Sequence, residues 1–226
     1  MPRRYDLETL VERCKQRCDK ENDDHIADAE WAALISEQYG ELFEIVSGTG
    51  LRYFETVYEF TADGSDSYDE PDDHGKTVGV DRVASDGTRV ALRPLMAQER
   101  TRYGGATGDA CEYAIIDDQV FLYPKPSSGD YEIIYIPQPP DISAYADSDM
   151  IDVVCIYGEA FLIWGVAVKA LAKSEGDLRA AMAERDRAGA RLMEWAAERD
   201  ANEPRRRVLD TEYMDGWGRD PDWGRW

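Results

Sequence analysis

The spacing of apolar residues changes period twice along this chain, and that alternation narrows the folds open to it. Among the first fifty residues, Leu7, Leu10, Val11, Cys14 and Cys18 fall on one stripe of an amphipathic helix, with Asp6 placed as its N-cap. The cluster Asn22-Asp23-Asp24 supplies a second cap, ahead of a second stripe of Trp31, Leu34, Ile35, Tyr39, Leu42 and Val46. Ser47-Gly48-Thr49-Gly50 ends that helix, glycine past the last turn being the usual stop.

From residue 52 to about 140 the period shortens to two. Phe54 to Phe60 mixes aromatic and β-branched residues and predicts a strand. Val78 and Val80, then Val90 and Leu92, flank Ser85-Asp86-Gly87-Thr88, where Asp-Gly predicts a hairpin. Tyr113 to Ile116, Val120 to Tyr123 and Tyr131 to Ile136 predict three further strands, with turns at Asp117-Asp118 and Ser127 to Asp130. About six strands at this spacing read as a meander, in a small β-sandwich or open barrel.

Pro137-Gln138-Pro139-Pro140 stops the strands, because proline cannot donate to a ladder. The helical period then returns. Ile151 to Ala172 is apolar most of the way round and predicts one buried helix. Gly176-Asp177 breaks it, and Leu178, Met182, Leu192, Met193 and Trp195 mark a more charged helix to about residue 200, stopped by Pro204. The expected class is α+β, mainly helical. An antiparallel bundle of about four helices is split into 1–50 and 141–202, with a β module inserted at 51–140 and an extended C-terminal arm at 203–226.

Composition limits what such a protein can bind. The chain has 226 residues, 47 Asp and Glu against 26 Lys and Arg, and a net charge of −21. That charge argues against coating DNA or an anionic membrane, which needs clustered cations. The start, MPRRYDLETL, has no apolar stretch of signal-peptide length, and the longest apolar run, Ala160 to Val168, is far short of the ~20 residues of a membrane span. The expectation is a soluble protein made in the cytosol.

Of the four cysteines, Cys14 and Cys18 share a helix face, and Cys111 and Cys155 stand apart. Tight Cys or Cys/His pairs of the zinc-site kind are missing, so buried free thiols are expected and no metal or cofactor is implied. Enzyme signatures are also missing: no Walker loop, no Gly-x-Ser-x-Gly elbow and no His-Glu-x-x-His. Both histidines, His25 and His74, lie in acidic stretches expected to be exposed. Gly104-Gly105-Ala106-Thr107-Gly108 reads as a flexible loop. The run from Asp63 to Asp73 holds Asp63, Asp66, Asp69, Glu70, Asp72 and Asp73 without a Lys or Arg, which reads as a solvated loop tip whose spacing is not that of an EF-hand.

The arm departs from everything before it. It opens on Arg205-Arg206-Arg207 and ends Gly216-Trp217-Gly218-Arg219-Asp220-Pro221-Asp222-Trp223-Gly224-Arg225-Trp226, so Trp-Gly-Arg occurs twice, six residues apart. No period runs through it that could bury those tryptophans internally. The expectation is a docking peptide, with Trp217, Trp223 and Trp226 as anchors and Arg205, Arg206, Arg207, Arg219 and Arg225 pairing with a partner's carboxylates.

Several stretches, in this order, resemble the head-to-tail adaptor (connector) proteins of tailed bacteriophages. They are Asp28-Ala29-Glu30-Trp31 leading into Ile35 to Phe43, the Phe54-to-Phe60 strand, Tyr68 to Asp73, Leu92-Arg93-Pro94-Leu95, Tyr123-Pro124-Lys125-Pro126, Tyr135 to Pro140 and Lys169 to Asp177. The resemblance covers about residues 22 to 204, leaving out the first helix and the Trp-Gly-Arg tail. It implies a structural virion protein at the head–tail interface, not an enzyme and with no cofactor. Such a protein forms a homo-oligomeric ring, typically of twelve copies, beneath the portal protein. The ring extends the DNA channel, lets genomic DNA pass without sequence-specific binding, and offers a platform to tail or nozzle proteins. The arm then reaches toward the portal. Two other readings stay open: a carbohydrate-binding or hydrolytic β module using Tyr53, Tyr58, Tyr68 and Tyr103, and a cytosolic scaffold unrelated to phage.

Overall fold

A computed structural model of the chain describes residues 3–21, 25–49 and 52–200. A short strand, β1 (Arg4–Asp6), leads into helix α1 (Leu7–Arg17). Asp6 caps it as its position predicts, Oδ1 accepting the Thr9 N–H at 2.7 Å. The apolar stripe faces inward, with Leu7, Leu10, Cys14 and Cys18 buried.

Helix α2 (Asp28–Gly48) buries Trp31, Ile35, Tyr39, Leu42 and Val46 and stops where the glycine signal places the end. Its start corrects the expectation. The residue before the helix is Ala27, whose methyl group cannot accept a hydrogen bond, and Asn22-Asp23-Asp24 lie outside the described residues. Asp28 and Glu30 in the first turn instead put negative charge against the exposed N–H groups.

Eight strands follow: β2 (Thr56–Ala62), β3 (Tyr68–Asp69), β4 (His74–Val83), β5 (Arg89–Ala91), β6 (Arg93–Pro94), β7 (Glu112–Ile116), β8 (Gln119–Tyr123) and β9 (Gly129–Pro137). The β4–β5 hairpin closes at Gly87, whose φ of +82° glycine tolerates without strain. The meander is not what forms. The strands make two four-stranded sheets, β2-β9-β4-β5 and β3-β8-β7-β6, all antiparallel except β6 beside β7. β9 leaves its sequence neighbour β8 and inserts between β2 and β4. Its burial explains the choice: Tyr131, Glu132, Ile133, Tyr135 and Ile136 are all buried, so both faces need cover, and a central position gives it.

Ala62, Val80, Tyr131, Ile133 and Tyr135 from the first sheet and Leu92, Ala110, Val120 and Leu122 from the second side of the module share one core. Ile136, next along β9, belongs to a separate and larger core built from the helices. One strand therefore serves both.

The apolar run from Ile151 is not helical throughout. Residues Met150–Asp152 form β10, antiparallel to β1, with Ile151 opposite Tyr5. A tight turn follows, in which the Cys155 N–H reaches the Val153 carbonyl at 2.7 Å and Val154 takes a φ of +66°, unusual for a β-branched residue. Only then does helix α3 (Ile156–Lys173) begin; it packs against α1, α2 and the last helix, α4 (Arg179–Asp200). α4 buries a narrow stripe of Ala181, Ala188, Leu192 and Ala196, as its charged sequence requires. The class is α+β. No described helix is long and apolar enough to cross a membrane.

Candidate functional site

The acidic run at 63–73 is tied into the β module rather than left as a bare loop tip. Asp63 accepts the Ser65 N–H at 2.9 Å, Asp66 holds Lys125 at 2.7 Å, and Asp69 accepts from Gln119 at 3.1 Å. β3 lies inside this run and pairs with β8 through Tyr68 and Asp69. The chain then turns over Pro71, the His74 N–H closing on the Pro71 carbonyl at 2.9 Å.

His74 opens β4, where two register shifts bend the strand. Gly75, within the first of them, fits only because it lacks Cβ, which would sit 2.9 to 3.0 Å from the backbone of residues 136–138. Gln138 fastens the same corner, its N–H bonding the Asp73 carbonyl at 2.7 Å and its Nε2 the His74 carbonyl at 2.9 Å.

This corner brings a histidine and a carboxylate together, which corrects the expectation that His74 is exposed. His74 Nδ1 lies 2.8 Å from Glu70 Oε2, Nε2 lies 2.8 Å from Thr77 Oγ1, and the ring centroid is 5.5 Å from that of Tyr135. Tyr135 in turn donates to Asp73 at 2.8 Å. The Glu70 side chain is only 4% exposed. Burial pushes its carboxyl above the usual range, His74 opposes that, and Asp118 adds to it. Burial, helped by the bond to Asp73, pushes the Tyr135 hydroxyl up to about 12. A concavity of about 280 Å³ opens beside these groups, lined by Glu70, Pro71, Asp72, His74, Asp118 and Gln138. The sequence signal for it was the i, i+4 spacing of Glu70 and His74 across a proline, which composition alone had reduced to an acidic loop.

A second polar cluster lies on the helices. Glu159 of α3 is buried within an apolar sequence and is held by both Arg3 and Arg13. The Arg17 guanidinium sits 4.9 Å over the Trp164 ring. Arg13, Gln16, Arg17, Glu159 and Ile163 line a shallow cleft of about 370 Å³. On the outer face of the first sheet, Arg89 grips Glu132 with two bonds of 2.6 and 2.8 Å, which holds the Glu132 carboxyl below its ordinary range.

The remaining candidates are dispersed. The four tyrosines make no shared stacking surface. Tyr53 packs on the helical core and donates to Asp152, whereas Tyr58 and Tyr68 flank Phe60 in the β module and Tyr103 stacks on Tyr123. Cys14, Cys18 and Cys155 are buried free thiols and Cys111 is an exposed one. Burial lifts the Cys18 thiol to about 11, too high for a thiolate at neutral pH. His25 is exposed. Among the described residues, no group of three or more His, Cys, Asp or Glu side chains is placed to hold a metal ion. Arg205, Arg206, Arg207, Trp217, Arg219, Trp223, Arg225 and Trp226 lie outside the described residues.

Compared with known families, residues 5–212 match the family described as SU10 adaptor protein. The match takes in α1, which the motif resemblance had left out, and the arginine triplet at 205–207. Trp217, Arg219, Trp223, Arg225 and Trp226 lie beyond it. No curated protein matches the chain.

Proposed function

The chain belongs to the SU10 adaptor protein family, a phage adaptor family, and on that premise we propose that it is the head-to-tail adaptor of a tailed phage. The observation that carries this reading is the match over residues 5–212, which spans both the helical elements and the β module. In the proposed role, copies close into a ring beneath the portal, each using two different faces in a heterologous contact. The ring lengthens the DNA channel and presents a platform to tail proteins. A net charge of −21 per copy suits a channel through which DNA must slide, because counterion release has few cations to work with.

The proposed portal contact is the C-terminal arm. Trp217, Trp223 and Trp226 provide aromatic anchors, and Arg205, Arg206, Arg207, Arg219 and Arg225 provide pairing cations, the residue types that dominate interface energetics. The helical elements and β module are proposed as separate units, 1–50 with 141–202 and 51–140.

Light scattering on the purified chain, alone and mixed with a candidate portal, tests the reading. A defined multi-copy complex that forms on the portal supports it, and a chain indifferent to every portal tried overturns it. Deleting residues 208–226 tests the arm by itself. The truncated chain should keep its circular-dichroism spectrum and lose portal attachment; virions completed with the truncated chain would rule the docking role out.

A further inference from the structure

We propose that the concavity around Glu70 receives the guanidinium of an arginine side chain presented by a partner protein. Glu70 supplies the central observation. Its side chain is 4% exposed, Oε2 is engaged by His74, and Oε1 has no hydrogen-bond partner among the described residues. A buried carboxylate oxygen left unpaired is unfavourable, so a donor that reaches it gains what the fold withholds. Other carboxylates of the same acidic run already have partners: Asp63 has Ser65, Asp66 has Lys125, Asp69 has Gln119 and Asp73 has Tyr135.

The surroundings select a cation. Asp72 and Asp118 line the concavity with Glu70, and neither Lys nor Arg does. The remaining lining residues are Pro71, His74 and Gln138, and the Gln138 side-chain amide is already committed to the His74 carbonyl. A hard metal ion wants six or more oxygens, and the described residues bring no such cluster together. At about 280 Å³ the space falls below the roughly 300–1,000 Å³ typical of small-molecule sites, so it suits one side chain and not an oligosaccharide. Between the two side-chain cations, arginine fits better. Its planar fork can bond two carboxylate oxygens at once, and it is less strongly hydrated than an ammonium. The site is also preorganised, since Gly75 and Gln138 fix the corner from both sides.

This inference deepens the adaptor reading by naming the chemistry of one partner contact, and its test uses the chain alone. Failure here would therefore leave the assembly reading standing. The full chain, with labelled glutamate carboxyls and histidine rings, is titrated with N-acetyl-arginine methylamide and followed by nuclear magnetic resonance. N-acetyl-lysine methylamide and calcium chloride are run in parallel. The expected result is a saturable displacement of the Glu70 and His74 signals by the arginine compound, weaker by about tenfold or more in Glu70→Gln and by a smaller factor in Asp118→Asn. Glu70→Gln keeps the bond to His74 and so keeps the corner folded, which the unlabelled thermal transition verifies. A response that does not saturate, equal displacement by the lysine compound, saturation by calcium instead, or undiminished binding in Glu70→Gln would each overturn the proposal.

Discussion

Two glycines in helices show how much a single Cβ decides. At Gly158, near the start of α3, an added Cβ would lie 2.3 Å from the Val153 carbonyl oxygen and 3.3 Å from Leu42 Cδ1. The oxygen is backbone and belongs to the tight turn at Val154, so it has little room to yield. Gly158→Ala should destabilise the chain by about 2 kcal/mol despite the better helix propensity of alanine. Gly40, inside α2, has nothing within 4 Å of such an atom, and Gly40→Ala should stabilise by roughly 0.5–1 kcal/mol. Urea unfolding midpoints compare the two. Two carboxylates make the same point for charge. Arg89 holds the Glu132 carboxyl low, so its contribution is present above the ordinary carboxylate range and is lost as pH falls through the lowered value. Glu70 is raised by burial, so its contribution runs the other way and declines as pH rises through the raised value. Thermal midpoints at about pH 4 and about pH 7 should therefore show Glu132→Gln losing ground to the parent chain toward neutrality and Glu70→Gln gaining it.

Elements that rest on local chemistry could be read from the sequence, and those that rest on distant partners could not. The α1 cap at Asp6 and the hairpin at Asp86-Gly87 both formed as expected, because each is fixed within a few residues. In the hairpin the Thr88 N–H bonds Asp86 Oδ1 at 2.8 Å and Gly87 holds φ at +82°. The apolar run at Ile151 was misread because periodicity cannot separate a short buried strand from a helix. What decided it was pairing with β1, about two thirds of the chain away, Tyr5 lying opposite Ile151. β9 escaped the meander for a similar reason, its two partners being distant in sequence. The candidate site was read only as composition: the acidic run was visible, but the i, i+4 spacing that lets Glu70 and His74 meet across the turn at Pro71 carries no strand or helix period. The contrast predicts different mutational reach. Gly87→Ala should cost about 1 kcal/mol, with loss of hydrogen-exchange protection confined to β4 and β5. Leu162→Ala, at a fully buried position of α3, should cost about 3 kcal/mol and lower protection across all four helices.

At the scale of the whole molecule, charge sets the terms of assembly. α2 carries Asp28, Glu30, Glu37, Glu41 and Glu44 and not one Lys or Arg. Three lysines from neighbouring helices answer it: Lys15 on Asp28, Lys173 on Glu30, and Lys169 between Glu37 and Glu41. In the proposed ring every copy carries the net −21 that remains after all its cations are counted. Two salt effects would oppose each other in the proposed assembly on a portal. Arginine pairs from the arm would weaken as salt rises, whereas repulsion between neighbouring copies would be relieved. The arm offers five arginines, against 21 net negative charges on every copy, so repulsion should dominate. Raising ionic strength from about 0.01 to about 0.15 M shortens the screening length from about 30 to about 8 Å, less than the width of a helix with its side chains. The number of copies bound per portal, followed by sedimentation velocity, should therefore rise over that interval. DNA-mediated recruitment would give the opposite slope, because phosphate contacts are lost with added salt. A fall in bound copies would mean that attraction between opposite charges, and not relief of repulsion, governs the proposed assembly.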